Sequence, residues 1–300
     1  MLIGVVVAVT LGAALLGYLA FRRPAAEVVV ALDAGREDAG PAETPLVVAA
    51  VEGEAQRRTG AAEEWAPLKP GDEVRALESL QTLGAGQVTL RGQDQSELTL
   101  KAAALATVNA LGPEGTELSL GRGLLDAALP EGARLLRVRT AEDTYAEARR
   151  GKLRMMRGQG STLTVAVYEG DATLFSAGAE RGIGAGEFAS ASSGAAPSAV
   201  APLPESMLEA AGSGARLVRR DQETIKGKAT PGTIVLVGGA AVRVDAKGNF
   251  QRAVPLKEGL NNIKVKMYGL DGKELSWSAK PIKRDTRAPK PRFGKPTFGD

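Results

Sequence analysis

The chain has 300 residues, 44% hydrophobic but only 4% aromatic, with 38 Lys and Arg against 35 Asp and Glu. It holds no histidine and no cysteine, which excludes His-based triads, His- or Cys-held metal centres, thiolate nucleophiles and disulfides. Carboxylate pairs and Ser–Lys chemistry stay open, and 37 glycines suit short strands joined by turns.

Leu2 to Phe21 is a run of 20 uncharged residues closed by Arg22 and Arg23. At 1.5 Å per residue it spans about 30 Å, the thickness of a bilayer core. No Lys or Arg precedes it, and it exceeds the apolar region of a cleaved signal peptide. Residues 1–23 are therefore expected to be a retained single-pass anchor, with residues 2–21 in the lipid bilayer. Arg22 and Arg23 would by the positive-inside rule keep the body cytoplasmic. The net-negative stretch that follows favours an exported body. Residues 24–45, with Pro24, Pro41, Pro45 and Glu37–Asp38, read as a linker.

From residue 46 to 190 the texture is β. Leu46–Val51, Val88–Leu90, Glu97–Leu100, Leu118–Leu120, Leu135–Arg139, Leu163–Val167 and Ala172–Phe175 alternate or are β-branched. Gly84-Ala-Gly86 and Gly112-Pro113 are expected as the turns between them. A weak echo pairs residues 91–100 with residues 157–165 and suggests two turn-then-strand units lying side by side. Residues 191–217 are rich in Ala, Ser, Gly and Pro and read as a second linker, with one or two helical turns over Pro204–Ala211. Strand texture returns over residues 218–286, at Thr233–Val237, Ala241–Val244, Asn262–Lys266 and Leu275–Trp277. Residues 287–300 form a basic, Pro-containing tail. The charge divides sharply: residues 1–215 carry 19 cations and 27 anions, residues 216–300 carry 19 and 8. Such a shift marks a domain boundary and points the C-terminal part toward an anionic surface.

Residues 46–190 resemble a FecR-type domain, a β domain of bacterial envelope regulators. The residues that carry this are Trp65-Ala-Pro-Leu-Lys-Pro-Gly71-Asp72, Gly121-Arg-Gly123-Leu-Leu-Asp-Ala, Val165-Ala-Val-Tyr-Glu169-Gly170-Asp-Ala and Gly184-Ala-Gly186-Glu. Gly71-Asp72 and Glu169-Gly170 are read as strand reversals, and Trp65 as a core plug. Residues 223–286 resemble a bacterial Ig-like module, through Thr230-Pro231-Gly232-Thr233, Asp245-Ala-Lys-Gly248-Asn249, Val254-Pro-Leu256-Lys-Glu-Gly259 and Asp271-Gly272. Pro231-Gly232 suits a type II turn; Asp245–Asn249 and Asp271-Gly272 suit hairpins. Together the resemblances imply an all-β body: a multi-stranded FecR-like domain, then a small Ig-like β-sandwich. Neither brings catalytic residues. FecR proteins signal through a segment that precedes their membrane helix; only Met1 precedes it here, so that role is not expected to transfer.

Candidate contacts are cationic. Arg137 and Arg139 share a strand face opposite Leu136 and Val138, and Arg154 lies in the same basic cluster, which also includes Arg134, Arg149, Arg150, Lys152 and Arg157. These read as a solvated face balanced by acids, or as an anion or partner contact. Lys264 and Lys266 alternate with Ile263, Val265 and Met267, as outward lysines on an edge strand do. Lys283 and Arg284 lead into the basic tail. The carboxylates Glu63–Glu64 and Asp94/Glu97 fall in polar stretches, and Gly182-x-Gly184-x-Gly186 lacks the strand–helix context of a phosphate cradle. No catalytic, cofactor or metal residues are expected. The expectation is a non-catalytic scaffold or binding protein of the inner membrane, its body in the periplasm, facing an envelope protein or anionic polymer and no nucleic acid. A regulatory or sensory subunit and an enzyme without a recognisable motif are the alternatives.

Overall fold

The computed structural model describes residues 44–60, 64–157, 161–214 and 217–287, and every regular element among them is a strand. The expected anchor helix, the linker to residue 43 and the tail beyond Arg287 lie outside the described residues.

The first body is one twelve-stranded sheet. Its strands are β1 (Leu46–Thr59), β2 (Ala66–Pro67), β3 (Glu73–Val74), β4 (Glu78–Arg91), β5 (Glu97–Gly112), β6 (Gly115–Leu129), β7 (Leu135–Ala141), β8 (Thr144–Arg157), β9 (Leu163–Ser176), β10 (Ala179–Gly184), β11 (Glu187–Ala191) and β12 (Ala201–Pro202). Six of these run 14 to 16 residues, far beyond the usual five or so. They reach that length because each folds in its middle and crosses from one layer to the other. The first half of β9 pairs with β11 and its second half with β10. The first part of β6 lies parallel to β7, and the rest runs antiparallel to β8.

The folds sit where the backbone turns left-handed: Gly53, Gly84, Ala102 with Ala103, Gly123, Gly151 and Gly170. Inward parity switches at Gly123, Gly151 and Gly170 and is kept across Gly84 and Ala102–Ala103. In β9 the buried core residues are Leu163, Val165 and Val167 before Gly170, then Ala172 and Leu174 after it. The two inner faces close over a core of Leu, Val, Ile, Met and Ala without an aromatic residue, matching the aromatic-poor composition.

Several turn assignments change accordingly. Gly84–Gly86 and Glu169–Gly170 lie inside continuous strands: they fold a strand without ending it. Gly71 and Gly112–Pro113 do fall at turns. The echoed segments are both hairpin connections, β4 to β5 and β8 to β9, but β6 lies between them. Trp65 is half-buried on the surface with the Arg58 guanidinium 4.9 Å from its ring centre, outside the core.

The second body has three small sheets around one core that includes Ile225, Val235, Val237, Phe250, Val265 and Met267. Its strands are β13 (Leu208–Ala211), β14 (Leu217–Val218), β15 (Gln222–Ala229), β16 (Ile234–Val237), β17 (Ala240–Val242), β18 (Asn249–Pro255), β19 (Gly259–Asn261), β20 (Lys264–Tyr268), β21 (Glu274–Ser278) and β22 (Ile282–Arg284). The helical turns expected at Pro204–Ala211 do not form. Leu208–Ala211 instead pairs along β15, which burial of Leu208 and Ala210 against the second core favours over a short, unsupported helix. Gly232 has φ +80° and Thr233 N–H donates to Thr230 C=O, closing the Pro231-Gly232 turn. Asp271-Gly272 joins the hairpin of β20 and β21. Asp245–Asn249 is a closed turn, yet its flanking strands belong to different sheets. β20 lies between β16 and β21, so Lys264 and Lys266 are on a central strand and not an edge.

Candidate functional site

Three strands of the first body carry apolar residues on both faces. Leu124–Leu125, Met155–Met156 and Val165–Ala166–Val167 are all buried. Alternation sends Leu125, Met155, Val165 and Val167 into the first core. Leu124, Met156 and Ala166 therefore point outward, where they meet Leu236, Tyr268 and Leu270 of the second body together with Ala102. This third apolar cluster joins the two bodies.

Arg154 alternates with these residues and points the same way. Its side chain is 3% exposed. Nε and Nη2 donate to the two Asp126 carboxylate oxygens at 2.6 and 2.8 Å, and Nη1 donates to the Gly269 carbonyl at 2.7 Å. Burial works against its charge, but the Asp126 pair outweighs that and raises its pKa. Lys101 continues the network, 3.2 Å from Asp126 and 3.0 Å from Glu274, and Glu274 also pairs with Lys266 at 2.8 Å. Burial pushes the Glu274 pKa up, yet hydrogen bonds from Lys266 and Lys101 bring it below its ordinary value. Tyr168 closes the seam: burial pushes its hydroxyl up to about 12, with Arg154 opposing, and its oxygen has no hydrogen-bond partner.

Beside this seam an open cleft of about 410 Å³ separates the fold of β5 from the β16–β17 edge. Arg122, Arg157 and Arg243 line it with Thr162, Thr164 and Thr233, over a floor that includes Ala102 and Ala103; no carboxylate of the described residues lines it. Local geometry explains its floor. At the fold of β5 the ladder is interrupted, so the Ala104 N–H donates to the buried Thr82 hydroxyl at 2.9 Å. The Ala103 carbonyl accepts from Arg122 Nε at 2.9 Å. Arg157 Nη1 donates to the Leu120 carbonyl at 3.0 Å. Arg243 is exposed and forms no side-chain hydrogen bond or ion pair among the described residues.

The other expected contacts fall apart from this cleft. Arg137 is held by Glu147 at 2.8 Å and by Glu117 at 3.5 Å, and its pKa is raised chiefly by the Glu147 hydrogen bond. Arg139 pairs with Glu117 at 2.9 Å. Both lie on the outer face of β7, with Leu136 and Val138 in the core. Lys264 and Lys283 are exposed, and Arg284 Nη1 donates to the Leu256 carbonyl at 3.3 Å. Asp94 organises a turn, accepting from Ser96 N–H and from Arg134 N–H at 3.1 and 2.9 Å. Among the described residues no group of three or more Asp and Glu could hold a metal ion. Arg122 and Arg243 were not legible as a pair, being distant in sequence. The available signal was the doubly apolar strands, which announce a covered outer face.

No protein-family model matches the chain, and no curated protein matches it.

Proposed function

We propose that this protein is a non-catalytic, membrane-anchored scaffold or binding protein of a bacterial cell envelope, presenting its two β bodies as one unit in the periplasm. The observation that carries this reading is the Arg154 seam. A mere spacer between two modules needs no order at their junction. Here a guanidinium is buried with each of its three nitrogens donating a hydrogen bond, at a desolvation cost that only good geometry offsets. Such a junction fixes the angle between two surfaces, which is what a scaffold must supply. The FecR-type and Ig-like motifs support the envelope setting, and the uncharged run Leu2–Phe21 supports the anchor and its bilayer contact. The basic C-terminal part suits an envelope protein or anionic polymer as partner.

The test is a protease-accessibility experiment on the full chain carrying a tag after Asp300. The chain is expected in the membrane pellet, with the tag digested once the outer membrane is permeabilised. A tag that stays protected in spheroplasts would overturn the periplasmic placement, and a chain in the soluble fraction would overturn the anchor.

A further inference from the structure

We infer that the arginine-lined cleft is a docking site for an extended acidic peptide segment, which adds as a strand to the open edge of β17. The inference rests on the scaffold reading and gives that scaffold its partner.

Three observations meet at the cleft. The first is charge. Some arginines of the two bodies are neutralised close by, as Arg91 is by Glu97, Arg137 by Glu147 and Arg154 by Asp126. At the cleft, Arg122 uses only Nε, on a carbonyl, and Arg243 has no ion pair among the described residues. The Arg122 and Arg243 guanidinium groups have no carboxylate partner among the described residues, and none of those residues brings a carboxylate to the cleft lining, so the two are complementary to a partner that brings its own.

The second is the backbone. β17 ends the order β17-β16-β20-β21, so one side of it carries no paired strand. The four consecutive residues Ala241 to Val244 border the cleft. Ala241 and Val242 close β17 and Arg243 and Val244 follow it; successive strand side chains point to opposite faces, so two neighbours on the lining bring the β17 main chain to the opening. An unpaired edge beside a groove is the setting for strand addition, in which main-chain bonds give affinity and the flanking side chains select the sequence.

The third is the floor. Ala102 and Ala103 both hold left-handed backbone, at φ +61° and +54°, a conformation that costs alanine roughly 1–2 kcal/mol per residue. Their methyl groups fill the floor of the cleft, which glycine would leave hollow. Together with Ile234, Val242 and Val244 they offer apolar contact to alternate residues of an incoming strand. The favoured ligand is thus a peptide that alternates acidic and aliphatic residues.

The experiment is a fluorescence-anisotropy titration of the full chain in detergent with a labelled octapeptide of alternating Glu and Val. Parallel arms use the same peptide with two valines replaced by proline, polyphosphate as competitor, and the variants Arg122→Glu and Arg243→Glu. Binding is expected to weaken at least tenfold for each charge reversal, for the proline peptide, and on raising salt from 50 to 500 mM, while the melting temperature of Arg243→Glu, which removes no hydrogen bond or ion pair among the described residues, stays within a degree or two of the parent. Absence of peptide binding overturns the inference. Equal binding of the proline peptide also overturns it, because strand addition needs the N–H groups that proline lacks. Tight polyphosphate binding without peptide binding reassigns the cleft to a phosphate polymer and overturns it too. Failure of the titration in a chain that sediments with membranes and whose two bodies unfold together removes the peptide partner and leaves the scaffold reading intact.

Discussion

Gly151 and Gly170 face one another across β8 and β9 at their common fold, with φ of +104° and +80°. A Cβ at Gly151 would stand 1.9 Å from the Glu169 carbonyl oxygen, so strain and collision act together. Gly151→Ala is expected to cost about 3 kcal/mol in chemical denaturation, and wild-type stability in that variant would show that the strands do not fold there. Ala103 presents the opposite case. Glycine would relieve its left-handed backbone at some cost in unfolded-state entropy, so Ala103→Gly is expected to gain roughly 0.5–1 kcal/mol. The gain should appear as a higher melting temperature.

The long strands depend on what happens at their folds and hairpins. Where the β5 ladder is interrupted, the Thr82 hydroxyl replaces a lost backbone partner for Ala104, because an unpaired buried N–H is costly. Asp94 does the same at the β4–β5 hairpin. Burial pushes its pKa up, but hydrogen bonds from Ser96 and Arg134 outweigh this and leave it below 3.8. Its contribution is therefore complete above the ordinary aspartate value and is lost as pH falls through the lower folded one. Asp94→Ala removes acceptors for two backbone N–H groups and one hydroxyl, and is expected to cost about 1–2 kcal/mol at pH 7. The deficit relative to the parent should shrink as pH falls below 3.8 and through the lower folded value, which paired denaturation curves would reveal.

Across the whole molecule, the seam sets how the bodies unfold. Arg154→Met would leave Asp126 with only Lys101 and strip the Gly269 carbonyl of its donor. A loss of about 3 kcal/mol is expected, and calorimetry should resolve one transition into two; a single unshifted transition would show that the seam does not couple the bodies. Glu274 and Asp271 both have folded pKa values below their ordinary 4.5 and 3.8, where hydrogen bonds, from Lys266 and from Ser206 respectively, outweigh the upward push of burial. Their stabilisation is present above those ordinary values and disappears as pH falls through the folded ones. Tyr168 acts at the other end. Its folded pKa of about 12 exceeds its ordinary 10.0, so its contribution holds below pH 10 and fades as pH rises through 12. The seam is thus expected to be strongest between roughly pH 5 and 10, and hydrogen exchange of residues 269–273 across that range would follow it.

Strand character was readable from alternation and β-branching, since side-chain burial on a pleated surface leaves that period in the sequence: Leu135–Arg139, Glu97–Leu100 and Asn262–Lys266 all overlap or lie within strands. The Pro231-Gly232 and Asp271-Gly272 turns were readable for the same local reason, because glycine alone takes positive φ without penalty. The same glycine signal misled at Gly84–Gly86 and Gly170. A left-handed residue can end a strand or fold it, and which occurs depends on the layer waiting on the other side. Arg154 shows the limit most clearly. Its place in a basic cluster suggested a surface contact, whereas the second body covers it and Asp126 and Gly269 complete its bonds. Local sequence determined which segments extend and where they bend. Pairings between residues up to 173 positions apart decided which charges are buried and which still face the cleft, because burial is a property of what packs on a surface.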